Sequence, residues 1–167
     1  MRLPRAPIVA VVGRSGSGKT TLIEQLIPEL QRRGRRVGAV KHTHHSFDFD
    51  PRGKDSWRLY QAGAQVVAFS SNAQLAVMRR TEAELPLEDV VARYLGDVDV
   101  VLVEGYKELP LPKVEVVREG QELLCSQDQL LAVVGGARPG LRVPCFRPDD
   151  ARGLVELLEG TVFARGL

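Results

Sequence analysis

The chain has little cysteine and no long apolar run. Only two cysteines, Cys125 and Cys145, occur in 167 residues, too few for a disulfide framework, and this predicts a reducing compartment. No apolar run approaches the roughly 18 residues of a membrane-spanning helix. The apolar run near the N-terminus is short and leads into a glycine-rich loop, unlike a signal peptide. We therefore expect a cytoplasmic protein without a membrane segment.

The sequence also has no strong excess of charge of either sign. Its 23 Lys and Arg against 21 Asp and Glu leave a net charge of +2, too small to indicate a nucleic-acid partner. Hydrophobic residues at 44% and charged residues at 26% are typical of an ordinary globular protein. The length of 167 residues suits a single domain, residues 1–167, with one core.

The most informative feature present is a complete phosphate-binding loop. Residues 13–20 read Gly-Arg-Ser-Gly-Ser-Gly-Lys-Thr, which matches the pattern G-x-x-x-x-G-K-[ST]. An apolar, β-branched stretch at residues 8–12 predicts a buried strand before it, and apolar residues at helical spacing predict a helix after it. Loop amides and the helix N-terminus are expected to surround phosphate. The predicted nucleotide-binding residues are Gly13, Arg14, Ser15, Gly16, Ser17, Gly18, Lys19, Thr20 and Thr21.

Two residues of this loop and one distant acid form the predicted catalytic and metal set. Lys19 is expected to reach the β- and γ-phosphates, and the Thr20 hydroxyl to bind Mg²⁺. The near-continuous apolar run at residues 98–103 predicts a strand buried on both faces, and Glu104 follows it directly. This is the arrangement of a Walker B acid, which binds Mg²⁺ through water or orients the attacking water. We predict Lys19 and Glu104 as catalytic residues and Thr20 and Glu104 as metal ligands.

A polar stretch after the second predicted strand contains all three histidines of the chain. Three interpretations are open. Asp48, Asp50 or Asp55 could approach Mg²⁺ as hard oxygen ligands, and Asp50 is included in the predicted metal set. The histidines could instead bind Zn²⁺ or Ni²⁺, although adjacent residues of an extended segment point to opposite faces. The stretch could also be a solvated loop without a ligand. The predicted substrate or switch residues are Lys41, His42, His44, His45, Asp48, Lys54 and Asp55.

The order of the predicted elements indicates an α/β fold. Buried strands alternating with helices predict a mostly parallel sheet flanked by helices, and the phosphate loop makes this a predicted P-loop NTPase fold. Residues 64–70 and 74–79 read as two strands joined by a short turn. They predict an antiparallel edge hairpin, and an edge strand can serve a dimer.

Over nearly its whole length the chain resembles the molybdopterin-guanine dinucleotide biosynthesis protein B family. The resemblance rests on the phosphate loop, on Lys-His-Thr-His-His at residues 41–45 with the acids after it, and on Leu-Val-Glu-Gly-Tyr-Lys at residues 102–107. It implies a P-loop GTPase-like fold, GTP and Mg²⁺ binding, weak intrinsic hydrolysis and a homodimer joined partly through β-structure. It also implies an accessory role beside the guanylyltransferase that makes the guanine dinucleotide form of the molybdenum cofactor. Molybdopterin is expected to bind at residues 41–56.

The chain departs from GTPases that read guanine with an aspartate. The late strand at residues 131–134 ends in Gly-Gly-Ala-Arg, and no N-K-x-D motif occurs. Guanine preference is therefore implied by resemblance alone, and backbone groups of residues 135–138 could contact the base. The residues leave three other functions open: a nickel or zinc metallochaperone GTPase, a small-molecule P-loop kinase, and an adapter that uses nucleotide only to shape a docking surface.

Overall fold

The computed structural model describes residues 6–43, 52–136 and 138–164. Its helices are α1 (Lys19–Arg32), α2 (Asp55–Gln61), α3 (Leu87–Tyr94) and α4 (Ala151–Leu158), the last continued by a π-helical turn at Glu159–Phe163. Its strands are β1 (Ile8–Val12), β2 (Val37–Lys41), β3 (Val66–Ser70), β4 (Leu75–Arg79), β5 (Val100–Glu104), β6 (Lys113–Val116), β7 (Leu130–Val134) and β8 (Cys145–Phe146). A 3₁₀ turn, Gln127–Gln129, precedes β7. Within these ranges no helix is long and apolar enough to cross a bilayer.

Six strands form one sheet in the order β2-β5-β1-β6-β7-β8. Every neighbouring pair in this sheet is parallel, so the predicted parallel α/β fold is confirmed. The carboxyl ends of parallel strands lie along one edge, where ligands of open α/β sheets bind. The loop after β1 and the acid at the end of β5 therefore meet at this edge.

The core explains why the central strands are almost entirely apolar. Residues 100–103 of β5 are each 0% exposed, as expected for a parallel strand covered on both faces. On one face, α1 and α4 pack together against the sheet through fully buried leucines, including Leu26, Leu30, Leu154 and Leu158. This packing fixes the N-terminus of α1 at the end of β1, where the phosphate loop lies.

The chain divides into two compact units. One contains the six-stranded sheet and comprises Met1–His42 with Val90–Leu167, and the other is Thr43–Asp89. The second unit contains α2 and the antiparallel pair β3–β4, in which Val66 is opposite Arg79 and Ser70 opposite Leu75. The predicted antiparallel pair is confirmed, and it forms a two-stranded sheet of its own. Its short turn, closed by a bond from the Ser71 amide to the Gln74 carbonyl at 2.9 Å, makes this pairing local.

Candidate functional site

The phosphate loop passes β6 so closely that one position requires glycine. Gly13 has φ 147, and Gly16 and Gly18 have φ 69 and 106, values that L-residues with a side chain rarely adopt. A Cβ at Gly13 would lie 2.3 Å from the Val116 carbonyl oxygen. The glycine pattern of the motif thus has a direct steric cause at this position.

The loop is closed by its own lysine. The Lys19 Nζ donates to the Arg14 carbonyl oxygen at 2.9 Å, and the Ser17 amide donates to the same oxygen at 3.2 Å. The first helical turn of α1 contains no acidic residue, and its N-cap, Gly18, provides no side-chain cap. The first amides of a helix lack intrahelical partners, so this end of α1 offers donors and a partial positive charge to an anion.

One buried hydroxyl inside the loop lacks a hydrogen bond. The Ser17 Oγ is buried and has no partner in the part of the chain that the structure describes. Buried polar atoms are nearly always paired, and exceptions call for a ligand or water. Together with the closely packed glycines and the open helix N-terminus, this atom fits a loop that holds a phosphate group.

A hydroxyl and a carboxylate meet beside the loop. The Thr20 Oγ1 donates to the Glu104 Oε2 at 2.7 Å, across 84 residues of sequence. Strand register brings Glu104 there, because it lies opposite Val11 of β1 and Lys41 of β2. The Lys41 Nζ is 3.5 Å from the other oxygen, Oε1. Hydroxyl and carboxylate oxygens are ligands that Mg²⁺ accepts, so this pair could hold the cation of a bound nucleotide.

The chain after Glu104 is bent around His42. The His42 amide donates to the Glu104 carbonyl oxygen at 3.0 Å, and its ring lies on that of Tyr106 with centroids 4.4 Å apart. In the described ranges Tyr106, with φ 55, is the one non-glycine residue with a positive φ. Backbone strain of this kind concentrates at functional sites. Sequence reasoning assigned no role to Tyr106, although its place two residues after a Walker B acid was a usable signal.

The other predicted switch and metal residues lie between residues 44 and 55 of the sequence. His44, His45, Asp48 and Asp50 lie outside the described residues. Lys54 is the N-cap of α2, and Asp55 begins that helix with a side chain 95% exposed, 3.6 Å from Arg58. In the ranges that the structure describes, no three His, Cys, Asp or Glu side chains are grouped to hold a metal ion. The roles of these residues, and the metallochaperone alternative, remain predictions.

A cavity of about 470 Å³ opens at the β6 side of the loop. It is lined by Ser17, Gly18, Thr21, Leu22, Gln25, Val116, Val117, Arg118, Glu119, Val134, Gly135, Gly136, Arg147 and Pro148. Its size is that of a small-molecule site. Sequence reasoning found its loop and its two glycines but missed Arg118, Glu119 and Arg147. Those three follow two different strands, β6 and β8, and share no local motif.

Gly135 lines the cavity directly after the end of β7. It has φ 155, and a Cβ there would lie 2.2 Å from the Val117 carbonyl oxygen. Its amide donates to the Phe146 carbonyl oxygen at 2.9 Å. Gly135 is therefore explained by close backbone packing between neighbouring strand ends, whereas a Cβ at Gly136 would meet no atom within 4 Å.

The structure has a parallel sheet with a glycine-rich loop between β1 and α1, a lysine that closes this loop, and a hydroxyl–carboxylate pair beside it. These features define a P-loop nucleotide-binding protein. Comparison with known proteins gives the family. The family model described as molybdopterin guanine dinucleotide synthesis protein B matches residues 8–136. The chain therefore belongs to this family.

Individual relatives agree with this assignment. The chain is 37% identical over 159 residues to the molybdopterin-guanine dinucleotide biosynthesis adapter protein of Escherichia coli (strain K12), covering 91% of each. It is 42% identical over 114 residues to the Haemophilus influenzae protein of the same name, covering 68% of this chain and 64% of that one. A crystal structure of molybdopterin-guanine biosynthesis protein B superposes with a TM-score of 0.73 at 32% identity, covering 93% of this chain and 99% of the other.

Proposed function

We propose that the chain is a GTP- and Mg²⁺-binding adapter in the synthesis of the molybdopterin guanine dinucleotide cofactor. The 2.7 Å contact between Thr20 and Glu104, directly beside the closed phosphate loop, is the observation that carries the nucleotide part. The names of the Escherichia coli and Haemophilus influenzae relatives support the pathway and the adapter role.

Each site residue has a physical task in this proposal. The loop amides and the Lys19 ammonium would neutralise the phosphates, and Thr20 with Glu104 would hold Mg²⁺, which would offset further phosphate charge. Glu104 is followed by Gly-Tyr-Lys, without the glutamine that orients water in some GTPases. We therefore propose that intrinsic GTP hydrolysis is slow. In other GTPases, an arginine supplied by a partner protein raises the rate of hydrolysis roughly 10³–10⁵-fold.

The proposal includes a cytoplasmic homodimer that acts on the guanylyltransferase. The two-stranded sheet β3–β4 supports the dimer, because Leu75 is 70% exposed and Val77 is 44% exposed, and edge strands readily pair with another chain. Light scattering of the wild type and of Leu75→Asp checks this part. We expect a dimer mass that falls towards the monomer in the variant, and a monomeric wild type would contradict it.

Calorimetric titration with GTP, with and without Mg²⁺, tests the nucleotide site. Thr20→Val removes the hydroxyl with little change in shape, so we expect the Mg²⁺-dependent part of GTP affinity to fall about tenfold. Thr81→Val, at an exposed threonine, is the matched control. Unchanged Mg²⁺ dependence in Thr20→Val would refute the assignment of the cation to this hydroxyl.

Glu104→Gln separates hydrolysis from the adapter role. We expect phosphate release to drop by at least tenfold while GTP binding is largely retained. Glu108→Gln, at an exposed acid 3.5 Å from Lys107, should hydrolyse GTP like the wild type. Both variants are then added to the guanylyltransferase with molybdopterin and GTP. If Glu104→Gln still raises dinucleotide formation, hydrolysis is dispensable for the adapter; equal hydrolysis in both variants would refute the role of Glu104.

A further inference from the structure

We propose that Glu119 reads the guanine base, taking the place of the aspartate that the sequence lacks after β7. This inference rests on the proposed binding of a guanine nucleotide. It assigns base recognition to an acid three residues after β6, on the basis of the cavity beside the phosphate loop.

The geometry of the sheet separates the phosphate end of the nucleotide from the base end. The predicted cation ligand Glu104 lies on the β5 side of β1. The cavity lies on the opposite side of β1, where β6, β7 and β8 follow in order, and Ser17 and Gly18 of the loop form its near wall. A nucleotide with its phosphates on the loop and its cation at Glu104 therefore extends its base into this cavity.

Glu119 is held at the cavity by a built turn. The Gln121 amide donates to the Arg118 carbonyl oxygen at 3.2 Å, and Gly120 has φ 76, as expected of a β-turn with glycine at its third position. The Arg138 Nη2 also donates to the Arg118 carbonyl oxygen at 3.0 Å. The carbonyl oxygen before Glu119 thus accepts two hydrogen bonds, which hold the adjoining backbone in place, and Glu119 lines the cavity.

The chemistry of the cavity wall favours guanine over adenine. Guanine presents two adjacent donors, N1–H and the N2 amine, and an ionised carboxylate accepts two hydrogen bonds side by side. Among the described residues that line the cavity, Glu119 is the single carboxylate. Adenine would place the N1 acceptor towards it, and a site built for a hydrogen bond rejects a base that cannot make it. Arg118 and Arg147, also in the wall, can stack on the ring.

Other groups near the cavity are already engaged. The Asp149 carboxylate accepts from the Arg147 guanidinium at 3.1 and 3.0 Å. The Gly135 amide is bonded to Phe146, and the Gly136 carbonyl oxygen accepts from the Cys145 Sγ at 3.4 Å. The backbone after β7, which the sequence offered as a base reader, is thus partly committed to packing, whereas the Glu119 side chain makes no hydrogen bond or ion pair within the part of the chain that the structure describes.

A change of base preference in Glu119→Gln tests the assignment. Binding of GTP, ATP and xanthosine triphosphate is measured by calorimetry with Mg²⁺. Xanthine carries an oxygen where guanine carries the N2 amine, so the amide of glutamine, with one donor and one acceptor, complements xanthine. We expect GTP affinity to fall on the order of 10–100-fold, xanthosine triphosphate affinity to rise by a similar factor, and ATP affinity to stay within about twofold.

Two further variants complete the test. Glu122→Gln changes an exposed acid of the same segment that is not part of the cavity wall and should bind all three nucleotides like the wild type. If Asp149→Asn rather than Glu119→Gln moves the preference, or if Glu119→Gln keeps the preference for GTP, the assignment to Glu119 is refuted while the proposed function stands. If the wild type binds ATP as tightly as GTP, the guanine part of the proposed function fails together with this inference.

Discussion

Replacing Gly13 by alanine tests the close contact between the phosphate loop and β6. The new Cβ would lie 2.3 Å from the Val116 carbonyl oxygen and 2.7 Å from the Ser17 Oγ. The serine can rotate, but the carbonyl belongs to a strand inside the sheet and cannot retreat without disturbing its neighbours. The backbone angle at Gly13, φ 147, adds strain for any residue with a side chain.

These two effects give the expected size of the loss. Strain at an unfavourable φ costs about 1–3 kcal/mol, and overpacking a tightly filled site costs about 1–3 kcal/mol. We therefore expect Gly13→Ala to lower the free energy of unfolding by about 3–5 kcal/mol. For a chain of this size, each kcal/mol lowers Tm by about 2–4 °C, so Tm should fall by about 10 °C.

Gly34→Ala is the matched control for strain alone. Gly34 has φ 78 and no atom within 4 Å of its added Cβ, and it follows α1 far from the phosphate loop. We expect Gly34→Ala to lower the free energy of unfolding by about 1 kcal/mol and to leave GTP affinity unchanged. Gly13→Ala, in contrast, should also bind GTP more weakly. Urea unfolding followed by circular dichroism measures both variants. Equal losses would refute the reasoning, because the contact with Val116 would then contribute nothing.

The remaining predictions concern charged and thiol groups. Hydrogen bonds from Arg36 lower the pKa of Asp99 from 3.8 to about 2, so the Asp99 carboxylate stabilises the fold above pH 3.8 and this effect is lost as the pH falls towards 2. The free energy of unfolding of Asp99→Asn should therefore depend less on acid pH than that of the wild type. Identical pH profiles would contradict this. Glu115 is fully buried and accepts from two successive amides, including that of Cys125 at 3.1 Å, so Glu115→Gln should cost about 1–3 kcal/mol in urea unfolding; a smaller loss would show the bonds to be dispensable. Burial, and to a lesser extent the charge of Glu115, raises the pKa of the Cys125 thiol, whereas Cys145 is exposed. A thiol reagent should therefore modify Cys145 in the native protein and Cys125 only in urea. Equal modification rates in the native protein would contradict this argument.

The parts of the fold that sequence reasoning predicted correctly are those with a local cause. The run at residues 98–103 predicted a strand, and β5 occupies Val100–Glu104 with its first four residues fully buried. The phosphate loop was recognisable because eight consecutive residues carry the whole pattern. The helix predicted after the loop is present, but it begins at Lys19, so the last two residues of the motif already belong to its first turn.

The base side of the site was not predictable in the same way. Arg118 and Glu119 follow β6, whereas Arg147 follows β8, and the cavity exists because β7 lies between these strands. Strand order is decided by packing and connection geometry, and it cannot be predicted from the spacing of residues in the sequence. The packing that makes Gly135 necessary involves Val117 from the neighbouring strand end. The sequence therefore shows that a glycine is present there but does not show why it is needed.

The sequence by itself determined that the chain has a phosphate loop, a buried parallel sheet and an acid at the end of one strand, because each depends on neighbouring residues and their periodicity. Only the tertiary structure decided that Glu104 lies 2.7 Å from Thr20, and that Glu119 lines a cavity on the other side of β1. The physical reason is that both relations are set by the order and register of strands distant in sequence. That order follows from how the strands and helices bury their apolar faces together.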